Sequence, residues 1–201
     1  LSLAKRFSFR HNDLNDLEAK LKRAEGRIFI AVESVYSMDG DECDLPGLTS
    51  LASKYNACLI LDEAHSTGVA GLRGSGMATA LGLDNKVNVR LYTFGKAMGT
   101  HGACIAGSKN LIQFLINFAR PFIYTTGLSP HSIVSIASAF DYVEENIYLQ
   151  NDLQRNVKLF LDGIGKIENR TSSQSAIQTV LFPGNKNVRL AAITLQAAGF
   201  D

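Results

Sequence analysis

Two short stretches of this sequence bring together groups able to do chemistry. "LILDEAHSTG" (59–68) carries an apolar run into Asp62, Glu63, Ala64 and His65, and "TFGKAMGTHGA" (93–103) sets Lys96 between Gly95 and Gly99. A carboxylate, an imidazole and a primary amine at the ends of two apolar runs suit more than one kind of site. Asp-Glu-Ala-His also marks the magnesium-binding strand of nucleic-acid helicases, where the carboxylate works on a metal held by a nucleotide. That use needs a phosphate-binding G-x-x-x-x-G-K-[ST] loop upstream, and none occurs in residues 1–58. It also asks for a Ser-Ala-Thr strand end downstream, where this chain has Thr93-Phe94-Gly95-Lys96. A strand-terminal Asp can also do no more than cap a loop. Taken as a set, however, the three groups match the needs of pyridoxal phosphate. That cofactor takes a lysine as its covalent attachment point, a carboxylate to keep its ring nitrogen protonated, and donors for its phenolic oxygen and phosphate.

The elements that must position these groups follow from periodicity. Residues 11–26 open with polar capping residues, carry Leu14, Leu17 and Leu21 at helical spacing and close on Gly26. "RIFIAVES" (27–34) is a compact apolar run of strand type. Leu48, Leu51, Ala52 and Tyr55 then share one helical face behind Pro46, and "ACLILD" (57–62) is the next strand. Strand, helix and strand with short connections make a βαβ unit, so these two strands should be parallel. Strands are also expected over 88–94 and 102–108, followed by a helix over 109–119 capped by Ser108. Their continuous apolar character predicts a sheet covered on both faces.

From Ser129-Pro130 a long helical stripe runs through Ile133, Ile136, Ala137, Phe140, Val143 and Ile147, resuming at Leu153, Val157, Phe160 and Ile164. Past a Ser-rich joint come one strand, "AIQTVLF" (176–182), and one helix, "NVRLAAITLQAA" (187–198). The expected class is α/β: a three-layer α/β/α large domain with a mostly parallel sheet over 1–130, a connecting long helix over 131–168, and the start of a small α+β domain over 169–201. In such a sheet, ligands bind at the carboxyl ends of the strands, which is where Asp62 and Thr93 fall.

Composition supports this picture. The chain has 201 residues, 46% hydrophobic and 19% charged, with a formal net charge of +1, which suits a globular protein with a real core. Near-neutral charge offers no footprint for nucleic acid, and no apolar run approaches the length of a membrane span. Cys43, Cys58 and Cys104 show no C-x-x-C spacing and are expected as buried thiols of a reducing, cytoplasmic setting. His11, His101 and His131 have no partner pattern. The glycines of "GLRGSG" (71–76) follow no strand of their own and are expected in a mobile loop near the site entrance.

The stretches "FRHNDLNDLEAKL", "ESVYSMDGD", "LDEAHSTGVAGLRGSG", "TFGKAMGTHGACIAGS" and "ARPFIYTTGLSP", spread over residues 9–130, resemble the α-oxoamine synthases, pyridoxal-phosphate enzymes of the aspartate-aminotransferase fold. Within that group they are most similar to the biotin-pathway branch, which condenses L-alanine with a pimeloyl thioester and releases carbon dioxide. The 2-amino-3-ketobutyrate ligase and serine palmitoyltransferase branches are the alternatives.

The resemblance implies that Lys96 carries the cofactor and then acts as general base, that Asp62 pairs with the pyridinium N–H, and that His65 reaches the phenolic oxygen with Ser37 beside it. It assigns Thr93 to the cofactor phosphate, makes Glu33 a further candidate, and implies a homodimer in which the Thr125 and Thr126 segment reaches the partner's cofactor phosphate. No metal is expected. In the family, a ring stacked on the cofactor and a phosphate-contacting glycine loop precede the stretch matched here, and the arginine for the substrate carboxylate follows it. The chain by itself is therefore expected to be a folded, inactive piece of a longer enzyme.

Overall fold

The computed structural model describes residues 4–165 and 167–200. The chain begins with α1 (Leu14–Leu21), β1 (Phe29–Glu33), α2 (Leu45–Lys54) and β2 (Cys58–Asp62). It continues through the short α3 (Met77–Ala80), β3 (Val89–Thr93), β4 (Ala103–Gly107), α4 (Lys109–Phe118) and α5 (Arg120–Ile123). The last elements are α6 (Pro130–Glu145), α7 (Tyr148–Ile164) and α8 (Asn185–Ala197).

Local chemistry sets the boundaries. Asp13 caps α1 by accepting from Asp16 N–H, and Asp44 caps α2 by accepting from Gly47 N–H, with Pro46 in the first turn. Ser108 and Ser129 cap α4 and α6 in the same way.

The four strands lie in the order β1-β2-β3-β4. β1, β2 and β3 are parallel, with Ile30 opposite Leu59 and Val32 opposite Leu61, whereas β4 runs antiparallel to β3. The antiparallel turn follows from length, because residues 94–102 are too few for the crossover that a parallel partner requires. Ile30, Val32, Leu59 and Leu61 point to one face and pack with Leu17, Leu21, Leu45, Leu48 and Ala52 of α1 and α2. Leu45, Leu59 and Leu61 are fully buried, and each such side chain contributes about 1.5–3 kcal/mol.

The α/β class and mostly parallel sheet agree with the sequence reading, but the described residues cover only one face fully. On the other, Phe29 is 60% and Ile105 44% exposed. Three expectations need correction. The long stripe after Pro130 forms two helices, broken where Asn146 leaves helical geometry at φ −120°, ψ 56°. Residues 176–182 form no strand, only an isolated Arg170–Val180 bridge, because this segment spends its polar groups on the loop after β1. Of the cysteines only Cys43 is buried; Cys58 is half-buried and Cys104 is exposed on β4.

Candidate active site

Three parallel strands end side by side, with Glu33, Asp62 and Thr93 as their last residues, next to the cavity that His65 and Lys96 line but not in its wall. Glu33 lies opposite Asp62 in the ladder, Asp62 lies opposite Leu91, and Thr93 ends β3 two residues further on. Asp62 Oδ1 accepts from Ala64 N–H at 2.9 Å, leaving Oδ2 for another donor. Thr93 is half-buried, and its hydroxyl oxygen is buried without a hydrogen-bond partner. A hydroxyl left orphaned in this way is costly unless a ligand satisfies it.

Lys96 stands in the turn from β3 to β4. That turn is closed by Phe94 N–H to Gly102 C=O at 2.9 Å, Thr100 N–H to Phe94 C=O at 2.8 Å and Gly99 N–H to Lys96 C=O at 2.9 Å. Gly99 has φ +62° and Gly102 φ +125°, whereas Gly95 takes no positive φ, so the latter two are the glycines the turn requires.

His65 and Lys96 line one cavity of about 220 Å³ together with Val35, Thr67, Leu153 and Ile177. Burial holds His65 below its ordinary value, the Lys96 charge adds to that, and Glu33 and Asp62 pull in the opposite direction. Groups from the ends of β1 and β2 and from the turns after β2 and β3 therefore share one field. A larger open depression of about 570 Å³, at Asn185, Lys186, Val188 and Arg189 of α8, contains none of them.

The other expected residues lie further out. Ser37 is exposed, and its backbone N–H donates to Glu33 Oε2 at 3.1 Å, which ties it to the strand end by its main chain. Thr125 and Thr126 are exposed between α5 and α6 and join no part of the cluster. The 71–76 segment is a closed turn. Gly68 N–H donates to Gly74 C=O and Gly76 N–H to Ala70 C=O, each at 2.8 Å, and Gln150 of α7 donates to Val69 C=O at 2.8 Å.

Sequence reasoning missed two contributions. Glu63 is fully buried directly behind the site, and Ser175, Ala176 and Ile177 form part of the cavity wall from far along the chain. Glu63 could have been suspected from a strand-end motif with two acidic residues in a row. Nothing in the 175–177 segment signals its partner.

Among known proteins, the family model described as "Aminotransferase class I and II" matches residues 2–198. An 8-amino-7-oxononanoate synthase of Fervidobacterium nodosum is 39% identical over 172 residues, which are 83% of this chain and 44% of that protein. A serine palmitoyltransferase of S. paucimobilis, solved with bound PLP–myriocin aldimine, superposes with a TM-score of 0.82 at 28% identity, over 89% of this chain and 47% of that one. The 8-amino-7-oxononanoate synthase of Francisella tularensis superposes with a TM-score of 0.79 at 27% identity, over 93% and 55%. The chain spans about half the length of the curated relatives it matches.

Proposed function

Because the chain belongs to the aminotransferase class I and II family, we propose that it is the cofactor-binding part of a pyridoxal-phosphate-dependent α-oxoamine synthase of the 8-amino-7-oxononanoate type. The whole protein would condense an amino acid, L-alanine, with a pimeloyl thioester on a carrier or coenzyme, with loss of carbon dioxide, in biotin formation. The relatives' names support that reaction, and the serine palmitoyltransferase neighbours keep a sphingoid-base synthase as the second reading. The protein would act in the cytoplasm as a homodimer, with Thr125 and Thr126 turned towards the partner's site. Among the described residues, no helix is long and apolar enough to cross a membrane.

The observation that carries this reading is the convergence of Asp62, His65, Thr93 and the Lys96 turn at one end of the sheet. The residues fit the cofactor: the orphaned Thr93 hydroxyl suits a phosphate oxygen, and the open Oδ2 of Asp62 suits a ring N–H. When bound, pyridoxal phosphate supplies an electron sink for the carbanion of an amino acid.

Lys96 would provide its Nζ as the point of attachment. Once displaced by substrate, the free amine would take the proton from the substrate Cα as general base. The Asp62 carboxylate would hold the proton on the ring nitrogen through a charge-assisted hydrogen bond. His65 would orient the ring through its phenolic oxygen, with Ser37 at the edge. The mostly apolar wall of Val35, Leu153 and Ile177 would keep water from the reacting carbon.

Adding pyridoxal phosphate to the protein should produce the long-wavelength absorption band of a lysine-bound cofactor. Absence of the band in the parent protein would overturn the assignment. Turnover of alanine, glycine and serine with a panel of acyl thioesters then separates the biotin-type reaction from the ketobutyrate and sphingoid-base alternatives.

A further inference from the structure

Glu63 sits between two residues of the proposed site and faces away from it. It is 0% exposed and does not join Ala64, His65 and Thr67 in the cavity wall. Its Oε2 accepts from Met77 N–H at 2.8 Å and its Oε1 from Ala78 N–H at 3.0 Å. The Ser66 hydroxyl also donates to Oε2, and Ser66 Oγ lies 2.9 Å from Ser34 Oγ at the end of β1. The Glu63 main chain is equally committed: its N–H donates to Leu91 C=O at 2.8 Å, and its C=O accepts from Ser66 N–H at 3.0 Å and Thr67 N–H at 2.8 Å. Gly76 passes so close that a Cβ there would meet the Glu63 carboxyl atoms at 2.8 Å.

The turn after β2 and the start of α3 thus converge on one side chain, and the end of β1 joins it through Ser66. Burying a carboxylate is expensive, and an apolar residue of similar size could fill the same space at lower cost. What the carboxylate adds is direction, because two oxygens accepting from successive backbone N–H groups and a hydroxyl permit little reorientation. Groups that must meet a ligand accurately depend on such support from behind.

We propose that Glu63 is a positioning residue: bridged to Met77, Ala78 and Ser66, it fixes the turn that aims Asp62 and His65 at the cofactor ring. The inference rests on the assignment of Asp62 and His65 to a pyridoxal phosphate site. It is tested with Glu63→Gln and the milder Ser66→Ala, the latter deleting the hydroxyl that bonds to Glu63 and Ser34 and leaving the carboxylate in place.

Two quantities are measured beside a thermal melt: the His65 imidazole titration by NMR without cofactor, identified by its absence in His65→Asn, and the affinity for pyridoxal phosphate. His65 is surrounded by Lys96, Glu33 and Asp62, none of which either variant alters. In Glu63→Gln the His65 midpoint should rise towards the ordinary histidine range as water reaches the ring. Cofactor affinity should fall about tenfold, the scale on which residues behind a site's ligands act. Ser66→Ala should move both in the same direction by less, and it decides the matter should Glu63→Gln not fold. A folded variant with both quantities unchanged would reduce Glu63 to packing and overturn the proposal. A parent protein that binds no pyridoxal phosphate would instead sink the cofactor assignment, while the His65 titration would still read the effect of Glu63.

Discussion

Lys96 and His65 share a cavity wall, and their roles separate at the level of single substitutions. In the whole protein, Lys96→Ala should abolish the cofactor absorption band and lower turnover by about 10²–10⁴-fold, the range expected when the proposed general base is lost. Lys96 is exposed, so without cofactor the same change should leave the thermal midpoint nearly unmoved, a contrast checked by a melt of the cofactor-free protein beside a spectrum with pyridoxal phosphate. His65 carries a pH signature. Burial, seconded by the Lys96 charge, lowers its folded-state value below 6.5, so between the two values the unfolded chain binds more protons than the folded one. Stability should therefore fall as pH drops below the unfolded value and level off once the folded value is passed. His65→Asn should flatten that limb, read as unfolding midpoint against pH. The grouping of these side chains was legible in the sequence because a carboxylate, an imidazole and an amine stand at the ends of two apolar runs. The partners of Glu63 were not, since Met77 and Ala78 lie fourteen and fifteen residues away.

At the scale of elements, the two faces of the sheet make opposite predictions. Leu59 is fully buried against α1 and α2, and Leu59→Ala should cost about 2–5 kcal/mol by denaturant unfolding. Phe29, one residue before Ile30 on the same strand, is 60% exposed; Phe29→Ala in this chain should stay within about 0.5 kcal/mol. Both residues belong to apolar runs of strand type, and that is where the sequence reading was weakest. Periodicity located β1, α2 and β2 to within a residue or two, because capping residues and Pro46 punctuate them. It could not tell a sheet face covered by this stretch of polypeptide from one that is not, since burial depends on what packs from elsewhere. Residues 176–182 failed for a related reason. "AIQTVLF" has the composition of a strand, but Thr179 Oγ1 donates to Met38 C=O at 2.9 Å and Ile177 C=O accepts from Ser173 Oγ at 2.6 Å. Those long-range and local bonds hold the backbone in an irregular path.

Over the whole molecule, that irregular segment is what joins the C-terminal part of the chain to the strand ends. The loop after β1, which contains Ser37, is gripped from both sides. On one side His11 Nε2 lies 2.8 Å from Asp41 Oδ2, and Asn12 donates to Glu42 C=O at 3.0 Å. On the other, Thr171 Oγ1 donates to Asp39 C=O and Ser173 Oγ to Gly40 C=O, each at 2.8 Å. Gly40 is the contact point: at φ +74°, a Cβ there would lie 2.1 Å from Ile177 O, which is also a cavity-wall residue. Gly40→Ala should therefore detach residues 171–179 from the loop and open the wall beside Lys96. The left-handed backbone alone would cost an alanine about 1–2 kcal/mol, so strain must be separated from the clash. Gly82 provides the control, having φ +65° and nothing within 4 Å of its would-be Cβ. Both alanine variants should lose stability through backbone strain, but only Gly40→Ala should bring fast amide exchange across 171–179 and weaker pyridoxal phosphate binding. Equal protection of that segment in the two variants would mean that the contact between Gly40 and Ile177 is not what couples this part of the chain to the site.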